Sequence, residues 1–224
     1  MDSKKLTPFA SALALGLTTL TAPAIASADL SASVAASNFY FWRGQNISNG
    51  AAAVSGSLDY SHESGMYAGI WTSSEMNTDT TSRSEYDLYI GFNGESGDFS
   101  YDISLWSYQY PEDVGSDDVG NLSESIISVA YSNFSFSYYQ VLAHPTPGFK
   151  ESQNQYLTFG YQMDKIGVTL GTFLDDSEAD KTHLTFKYTA NEEISFLFSK
   201  LVDAPSSTDD DLLVNVEWSK TFDL

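Results

Sequence analysis

The feature of this sequence that most constrains its fold is the alternation of apolar and polar residues, which recurs in at least ten runs after residue 29. In one run, Tyr86, Leu88, Ile90 and Phe92 alternate with polar or small neighbours. A period of two places successive side chains on opposite faces of a β-strand, and no convincing period of 3.6 residues accompanies it. The sequence therefore predicts strands with one apolar and one polar face.

Twelve antiparallel strands are predicted from these runs, each about ten residues long, which is the length that a tilted strand needs to cross a bilayer. Short turns such as Ser132-Asn133 and Asp164-Lys165 alternate with longer loops rich in Pro, Gly, Ser and acidic residues. Bacterial outer-membrane barrels sort their connections in this way, with short periplasmic turns and longer outer loops. The predicted strands span residues 29–42, 51–61, 65–74, 84–94, 97–110, 122–132, 133–143, 152–163, 165–174, 181–190, 193–203 and 210–222.

A soluble barrel with an apolar interior would show the same alternation, but barrels of that kind close with about eight strands. In an outer-membrane barrel the apolar face meets lipid, and aromatic residues gather where strands leave the membrane. The apolar face carries aromatic residues beside the short turns: Tyr60, Phe92, Phe99, Tyr131, Phe134, Tyr161 and Phe222. The predicted fold is therefore all-β, a single antiparallel transmembrane β-barrel of about twelve strands.

Charge and cysteine content exclude several classes of function. Among 224 residues, 30 acidic and 10 basic side chains give a formal net charge of −20. A chain this negative is repelled by a phosphate backbone, and no Lys/Arg cluster offsets the repulsion, so no nucleic-acid partner is expected. The chain contains no Cys, which excludes disulfides, Cys-ligated metal sites and a thiol nucleophile.

The first 28 residues have the layout of a secretory signal peptide. Lys4 and Lys5 precede a moderately apolar stretch that ends at Ala26-Ser27-Ala28, a small-residue cleavage site. A membrane anchor fits this segment less well, because Pro8 and Pro23 interrupt it. We expect a signal peptide at residues 1–28 and an outer-membrane β-barrel at residues 29–224.

The polar face of the predicted strands would line the lumen, and it is mainly acidic. Six acids against two bases would concentrate cations in an aqueous passage. In a plugged barrel, the bases and tyrosine hydroxyls would instead neutralise some of these acids. The charged residues are Asp59, Glu85, Asp87, Asp102, Glu124 and Glu217 against Lys187, with Arg43 near the outer end of the first strand; bulky residues expected to narrow the bore are Tyr67, Trp71, Tyr89, Trp106 and Tyr156.

Residues suited to catalysis or metal binding are sparse. The three histidines are His62 in a turn, His144 in a loop and His183 on the polar face of the tenth strand. Some outer-membrane barrels are hydrolases with Ser/His or Asp/His sites, but no nucleophile motif stands beside His183. The acidic run at residues 175–180 lacks the Gly and Glu of an EF-hand, so a solvated acidic rim is expected, with weak divalent-cation binding as the alternative. We expect no catalytic residue, no metal site and no cofactor.

Three segments resemble a known family: Asn38–Ser48 (NFYFWRGQNIS), Leu58–Trp71 (LDYSHESGMYAGIW) and Glu85–Gly91 (EYDLYIG). On these segments the chain resembles the proteobacterial TorF-type porins, over most of residues 29–224 and most densely over residues 38–110. The resemblance implies an outer-membrane barrel of porin type, and it implies no particular substrate.

The expected function is a narrow, cation-leaning passive channel for small hydrophilic solutes in the cell outer membrane. The expected partners are outer-membrane lipid and lipopolysaccharide, small hydrophilic solutes or cations, and the barrel-assembly machinery. Two alternatives stay open. One is a non-conducting barrel with a structural or surface-interaction role, and the other is an outer-membrane hydrolase.

Overall fold

The computed structural model describes residues 29–74, 84–111, 119–120, 122–146, 148–151, 154–174, 181–205 and 211–224. The predicted signal peptide lies outside these residues. So do most of the acidic residues predicted for the outer loops, including Asp175, Asp176 and Asp180. The description that follows therefore concerns the strands, the turns and the inner part of the loops.

Fourteen strands are present in the described residues, and no helix there has the length and apolar character needed to cross a membrane. Two of the strands are only two residues long. The strands are β1 (Asp29–Ser37), β2 (Phe41–Trp42), β3 (Gln45–Asn46), β4 (Ala53–Ser61), β5 (Met66–Ser73), β6 (Glu85–Ser96), β7 (Phe99–Gln109), β8 (Ser123–Tyr131), β9 (Phe134–Ala143), β10 (Gln155–Met163), β11 (Ile166–Leu174), β12 (Thr182–Thr189), β13 (Ile194–Asp203) and β14 (Leu213–Asp223).

The long strands β1 and β4–β14 form a closed antiparallel barrel of twelve strands, which confirms the predicted fold class. Each strand pairs with its neighbours along the chain, and β1 closes the barrel by pairing with β14 as well as β4. In this closing pair, Ser31 lies opposite Asp223 and Ser37 lies opposite Glu217. Closure pairs the backbone groups that an open sheet would leave exposed along its two edges.

The two ends of the barrel differ in their connections. Turns of two to four residues join β4 to β5, β6 to β7, β8 to β9, β10 to β11 and β12 to β13, and we call this the short-turn end. Ser132 and Asp164 each begin a two-residue turn, with φ of 54° and 50°, in the left-handed region that tight hairpins use. Longer connections lie at the opposite end, which we call the long-loop end.

The first predicted strand, residues 29–42, is too long: β1 ends at Ser37. The side chain of Asn38 ends the pairing, because its Nδ2 donates to the Val214 carbonyl (3.0 Å) and its Oδ1 accepts from the Val216 amide (2.7 Å). Residues 38–52 then leave the wall and fold inward. They contain the short pair β2–β3, with Phe41 opposite Asn46, and we call residues 38–52 the inner hairpin.

The outward face of the barrel is apolar, as the alternation predicts. Its large apolar side chains are exposed on strand after strand, and so are all seven aromatic residues predicted beside the short turns. An exposed apolar belt of this extent is typical of the lipid-facing surface of a transmembrane barrel. Members of the belt include Leu58, Ile70, Ile90, Ile103, Ile127, Phe159, Leu170, Leu184, Phe198 and Val214.

The buried aromatic residues lie inside the barrel. Tyr40 of the inner hairpin packs with inward residues of the strands in one mainly aromatic cluster, and Phe39 and Phe41 pack against Leu197 in a second. The larger cluster, which we call the inner aromatic cluster, consists of Tyr40, Ala53, Trp71, Tyr89, Trp106, Tyr108, Ile126, Tyr139 and Tyr156, with Trp42, Ile47, Tyr67, Tyr110, Leu122 and Phe173 packed against it.

Candidate functional site

All six predicted lumen acids, and Lys187, lie on barrel strands and on the face opposite to the apolar belt. The strand register, which the sequence does not reveal, places the acids at two levels. Near the long-loop end lie Glu85, Asp87 and Glu124, all buried. Near the short-turn end lie Asp59 and Asp102, which are half-buried. Glu217 on β14 and Lys187 on β12 are also half-buried.

Tyrosine hydroxyls hold two of the acids near the long-loop end. Glu85 accepts hydrogen bonds from Tyr40 on the inner hairpin and from Tyr110, each at 2.7 Å. Glu124 accepts one from Tyr108 at 2.9 Å. These hydrogen bonds fix the two acids in position, and the one from Tyr40 attaches the hairpin to the wall.

Asp87 differs from its neighbours. Its side chain is 0% exposed, and neither carboxylate oxygen has a hydrogen-bond partner among the described residues. The hydroxyl of Ser73, which lies opposite Glu85 on the next strand, is also without a partner there. An unbonded buried carboxylate is costly to keep charged. Among the six acids, Asp87 is therefore the one whose burial is least compensated by hydrogen bonds from the described residues.

The two acids near the short-turn end also accept hydrogen bonds from tyrosines. Asp59 accepts from the hydroxyl of Tyr89 and from Ser57 at 2.6 Å. Asp102 accepts from Tyr67 at 2.7 Å. Both residues are half-buried, unlike the buried acids near the long-loop end.

The structure brings together the five aromatic residues predicted to narrow the bore. Tyr89 stacks on Trp106 with ring centroids 4.3 Å apart, and Tyr67 lies 6.4 Å from Tyr89. Trp71 contacts Tyr40 of the inner hairpin, at 5.8 Å between centroids. Aromatic pairs at such distances add to the free energy of burial. All five residues belong to the inner aromatic cluster or pack against it.

Arg43, predicted near the outer end of the first strand, lies in the turn between β2 and β3 at the tip of the inner hairpin, and its side chain is buried inside the barrel. Its Nη2 is 2.6 Å from Glu124 Oε2, and both side chains are buried. The guanidinium carbon lies 4.7 Å from the Trp42 ring, 4.6 Å from Tyr139 and 4.7 Å from Tyr156, with Phe173 at 6.0 Å. These distances are those of favourable cation–π contacts.

The turn that carries Arg43 is conformationally strained. Arg43 and Gly44 have φ of 45° and 80°, which Asn, Asp and Gly adopt most easily in a two-residue hairpin. An arginine at such a position costs about 1 kcal/mol or more. Gly44 is also needed for space, because a Cβ there would collide with the ring of His183. The surrounding contacts of the arginine side chain offset this strain.

His183 belongs to a chain of buried hydrogen bonds. Its Nε2 lies 2.6 Å from the Tyr156 hydroxyl, its Nδ1 lies 2.9 Å from Thr185 Oγ1, and Thr185 lies 2.7 Å from Ser199. No carboxylate is bonded to this histidine in the described residues. The arrangement holds Tyr156 in place beneath the inner hairpin.

Sequence reasoning missed several residues of this interior. Those that hold the acids or surround Arg43 are Tyr40, Tyr108, Tyr110, Tyr139 and Phe173. For Tyr108 and Tyr139 the signal was present, because each is a bulky aromatic residue with the parity of the polar face of its strand. No group of three or more His, Asp or Glu side chains in the described residues is arranged to hold a metal ion.

Comparisons with known proteins assign the chain to a family. The sequence model of a bacterial protein family of unknown function, Gcw_chp, matches residues 21–195. The chain belongs to the Gcw_chp family. No curated protein matches it significantly. The resemblance to TorF-type porins therefore stays a prediction, whereas membership of Gcw_chp is shown.

Two solved structures similar to this Gcw_chp protein are outer-membrane proteins. One is the COG4313 outer membrane channel from Pseudomonas putida F1, with a TM-score of 0.51 and 11% identity over 89% of this chain and 97% of that chain. Another is the outer membrane phospholipase A from Escherichia coli, with a TM-score of 0.43 and 10% identity over 87% and 89%. At such identities the likeness to the channel concerns the fold alone.

Proposed function

We propose that this Gcw_chp protein is an outer-membrane barrel that forms a narrow, cation-leaning passive channel for small hydrophilic solutes. The observation that carries the proposal is the contrast between its two faces: an exposed apolar belt outside and an acidic, polar interior. The belt suits outer-membrane lipid and lipopolysaccharide, and a chain that folds in this way would use the barrel-assembly machinery. The likeness in fold to an outer-membrane channel supports the same function.

The cation preference rests on the half-buried acids Asp59 and Asp102. Asp59 and Asp102 lie in the interior near the short-turn end. The inward-facing base of the described barrel wall is Lys187 on β12. Carboxylates enclosed by protein act through a lower effective dielectric than in bulk water, so their field on a passing ion is less screened. A cation entering at this end would therefore be favoured over an anion.

The bore is narrow because the inner hairpin and the inner aromatic cluster share the long-loop half of the interior. Tyr40 reaches Glu85, and Arg43 reaches Glu124, so the hairpin is bonded to β6 and β8 on the wall. Twelve strands already enclose less space than the sixteen to eighteen of wide porins. Only small solutes suit such an interior.

The same hairpin favours a second candidate, a non-conducting barrel with a structural role. Arg43 neutralises Glu124, and the hydroxyls of Tyr40 and Tyr110 hold Glu85, so these two acids near the long-loop end have protein partners that take the place of a solute. In this alternative the hairpin closes the long-loop end permanently. The two candidates differ in one measurable quantity, the ionic current through the barrel.

Planar-bilayer recording on the refolded full chain tests the proposal. Steady conductance steps, with a reversal potential in a KCl gradient on the cation-selective side, are expected. A barrel that is folded by circular dichroism and passes no current at any voltage or salt concentration would establish the structural role instead. An anion-selective current would overturn the assignment of the interior acids.

A further inference from the structure

The surroundings of Arg43 form a site for a cation that is built largely from the barrel wall. Glu124 supplies a carboxylate at 2.6 Å, and Tyr139 and Tyr156 supply ring faces at 4.6 and 4.7 Å. Phe173 adds an outer ring at 6.0 Å. These residues come from four adjacent strands, β8 to β11, and only Trp42 comes from the inner hairpin. The site therefore does not depend on the hairpin for most of its ligands.

Hydrogen bonds among wall residues hold these groups in place without help from Arg43. The Tyr108 hydroxyl donates to the same Glu124 oxygen that Arg43 contacts. Tyr156 is bonded to His183, which is bonded in turn to Thr185. A carboxylate and ring faces that are already oriented need little reorganisation to receive a cation.

The chemistry of this site selects a particular kind of cation. Ring faces attract weakly hydrated, delocalised cations, and a carboxylate pairs with their N–H groups. Guanidinium has both properties, whereas sodium and potassium ions lack the N–H donors and hold their water more tightly. The φ of 45° at Arg43 is unfavourable for a residue with a side chain, and the contacts of the guanidinium with Glu124 and the rings offset that cost.

We propose that the wall around Glu124, Tyr139 and Tyr156 is a binding site for small guanidinium-bearing solutes, and that the chain's own Arg43 occupies it in this structure. A solute of this class competes with Arg43 for the site. Displacement of Arg43 releases the tip of the inner hairpin and widens the long-loop end. This last step rests on the proposed channel function, whereas the binding of the solute does not.

Methylguanidinium binding to the refolded full chain tests the site. Arg43→Ala removes the competing side chain and leaves the wall unchanged, so this variant is expected to bind methylguanidinium saturably by calorimetry, at least tenfold more tightly than the wild type. The ligand is also expected to raise its unfolding temperature. Arg43→Ala/Glu124→Gln is expected to lose that affinity at least tenfold. Lys187→Ala, which removes an inward base outside the site, is the matched control and is expected to bind like the wild type.

Two results would overturn the proposal: equal affinity in the wild type and in Arg43→Ala, or equal affinity with and without Glu124. If Arg43→Ala does not refold, Arg43→Gln keeps a polar side chain of similar reach and is judged by the same comparison. Bilayer current separates this site from the channel function. Binding that depends on Glu124 with no current in any protein supports the site and removes the channel; current with no methylguanidinium binding does the reverse.

Discussion

Arg43 and Glu124 are 81 residues apart in the chain, yet their side chains meet at 2.6 Å inside the barrel. The contact joins the tip of the inner hairpin to β8 and is surrounded by aromatic rings. The pair holds the hairpin tip against the barrel wall and neutralises one of the interior acids.

Removing one partner of this pair should destabilise the barrel strongly. Glu124→Gln leaves the Arg43 guanidinium buried without its counter-ion, for which a loss of about 3–5 kcal/mol in the free energy of unfolding is expected. Urea denaturation in lipid vesicles, followed by tryptophan fluorescence, measures it. Arg43→Met/Glu124→Leu removes both charges and should recover most of the loss. A double variant as unstable as the single one would mean that the charges are not the cause.

The lipid-facing surface predicts a dependence on depth along one strand. Ile127 and Tyr131 are both outward on β8 and exposed, but Ile127 lies near the middle of the strand and Tyr131 at its short-turn end. Ile127→Arg is expected to cost about 2–4 kcal/mol and Tyr131→Arg about 0–1 kcal/mol, if the middle of the strand lies at the bilayer midplane. Equilibrium unfolding in vesicles measures both. Equal costs would contradict a membrane-spanning orientation.

Two glycines of the inner hairpin separate backbone strain from lack of space. Gly44 and Gly50 have nearly equal φ, 80° and 81°, but a Cβ on Gly44 would meet His183, whereas a Cβ on Gly50 would meet nothing within 4 Å. Gly50→Ala is expected to cost only the backbone strain, about 1 kcal/mol. Gly44→Ala should cost more and should increase bilayer conductance, because the hairpin tip must move. Identical behaviour of the two variants would exclude contact between the hairpin tip and β12.

The half-buried acids Asp59 and Asp102 should determine the ion selectivity. Asp59→Asn/Asp102→Asn is expected to move the reversal potential in a salt gradient toward zero, because both carboxylates act inside the barrel where screening is weak. Asp98→Asn, in the exposed turn between β6 and β7, is the control. Its charge is in electrolyte with a Debye length of about 8 Å at physiological ionic strength, so little change is expected. A larger shift from Asp98→Asn would move the selective region out of the barrel.

A pH dependence is expected from the exposed turn before β13. The hydrogen bonds from Lys220 (2.9 Å) and Trp218 (3.0 Å) lower the pKa of Glu193 below its usual value. A carboxylate with a depressed pKa in the folded state stabilises that state above its unfolded pKa, and the contribution disappears as the pH falls through the folded pKa. The wild type should therefore lose stability relative to Glu193→Gln on acidification below about pH 4. Parallel pH profiles would show that the contact is not formed.

The barrel itself was predictable from sequence because alternation does not depend on register. Each outward Leu, Ile or Phe identifies a face wherever its neighbouring strand lies, so eleven strands were placed within three residues of their bounds. The inner hairpin was not predictable in this way. Residues 39–42 are four aromatic residues in succession, which are compatible with either face of a strand. The prediction therefore extended the first strand through them.

The interior contacts depended on information that one sequence does not hold. The partner of Arg43 lies on β8, and only the strand register shows that Glu85, Asp87 and Glu124 share the long-loop half while Asp59 and Asp102 lie near the other end. Spacing along the chain gives no measure of height in a barrel with tilted strands. The sequence therefore predicted which charged residues face the interior, but not the distances between their side chains.

The seam between β1 and β14 has a consequence for how the protein is assembled. Strands at opposite ends of the described chain must meet before the barrel is shut, which gives the fold contacts of very high sequence separation and predicts slow folding. The inner hairpin follows β1 directly, yet the strands that it contacts, β8–β11, come much later in the chain. The hairpin tip can therefore dock only after β8 to β11 have been added to the wall. Because the groups around Arg43 come from separate strands, its docking requires that these strands are paired in the correct register.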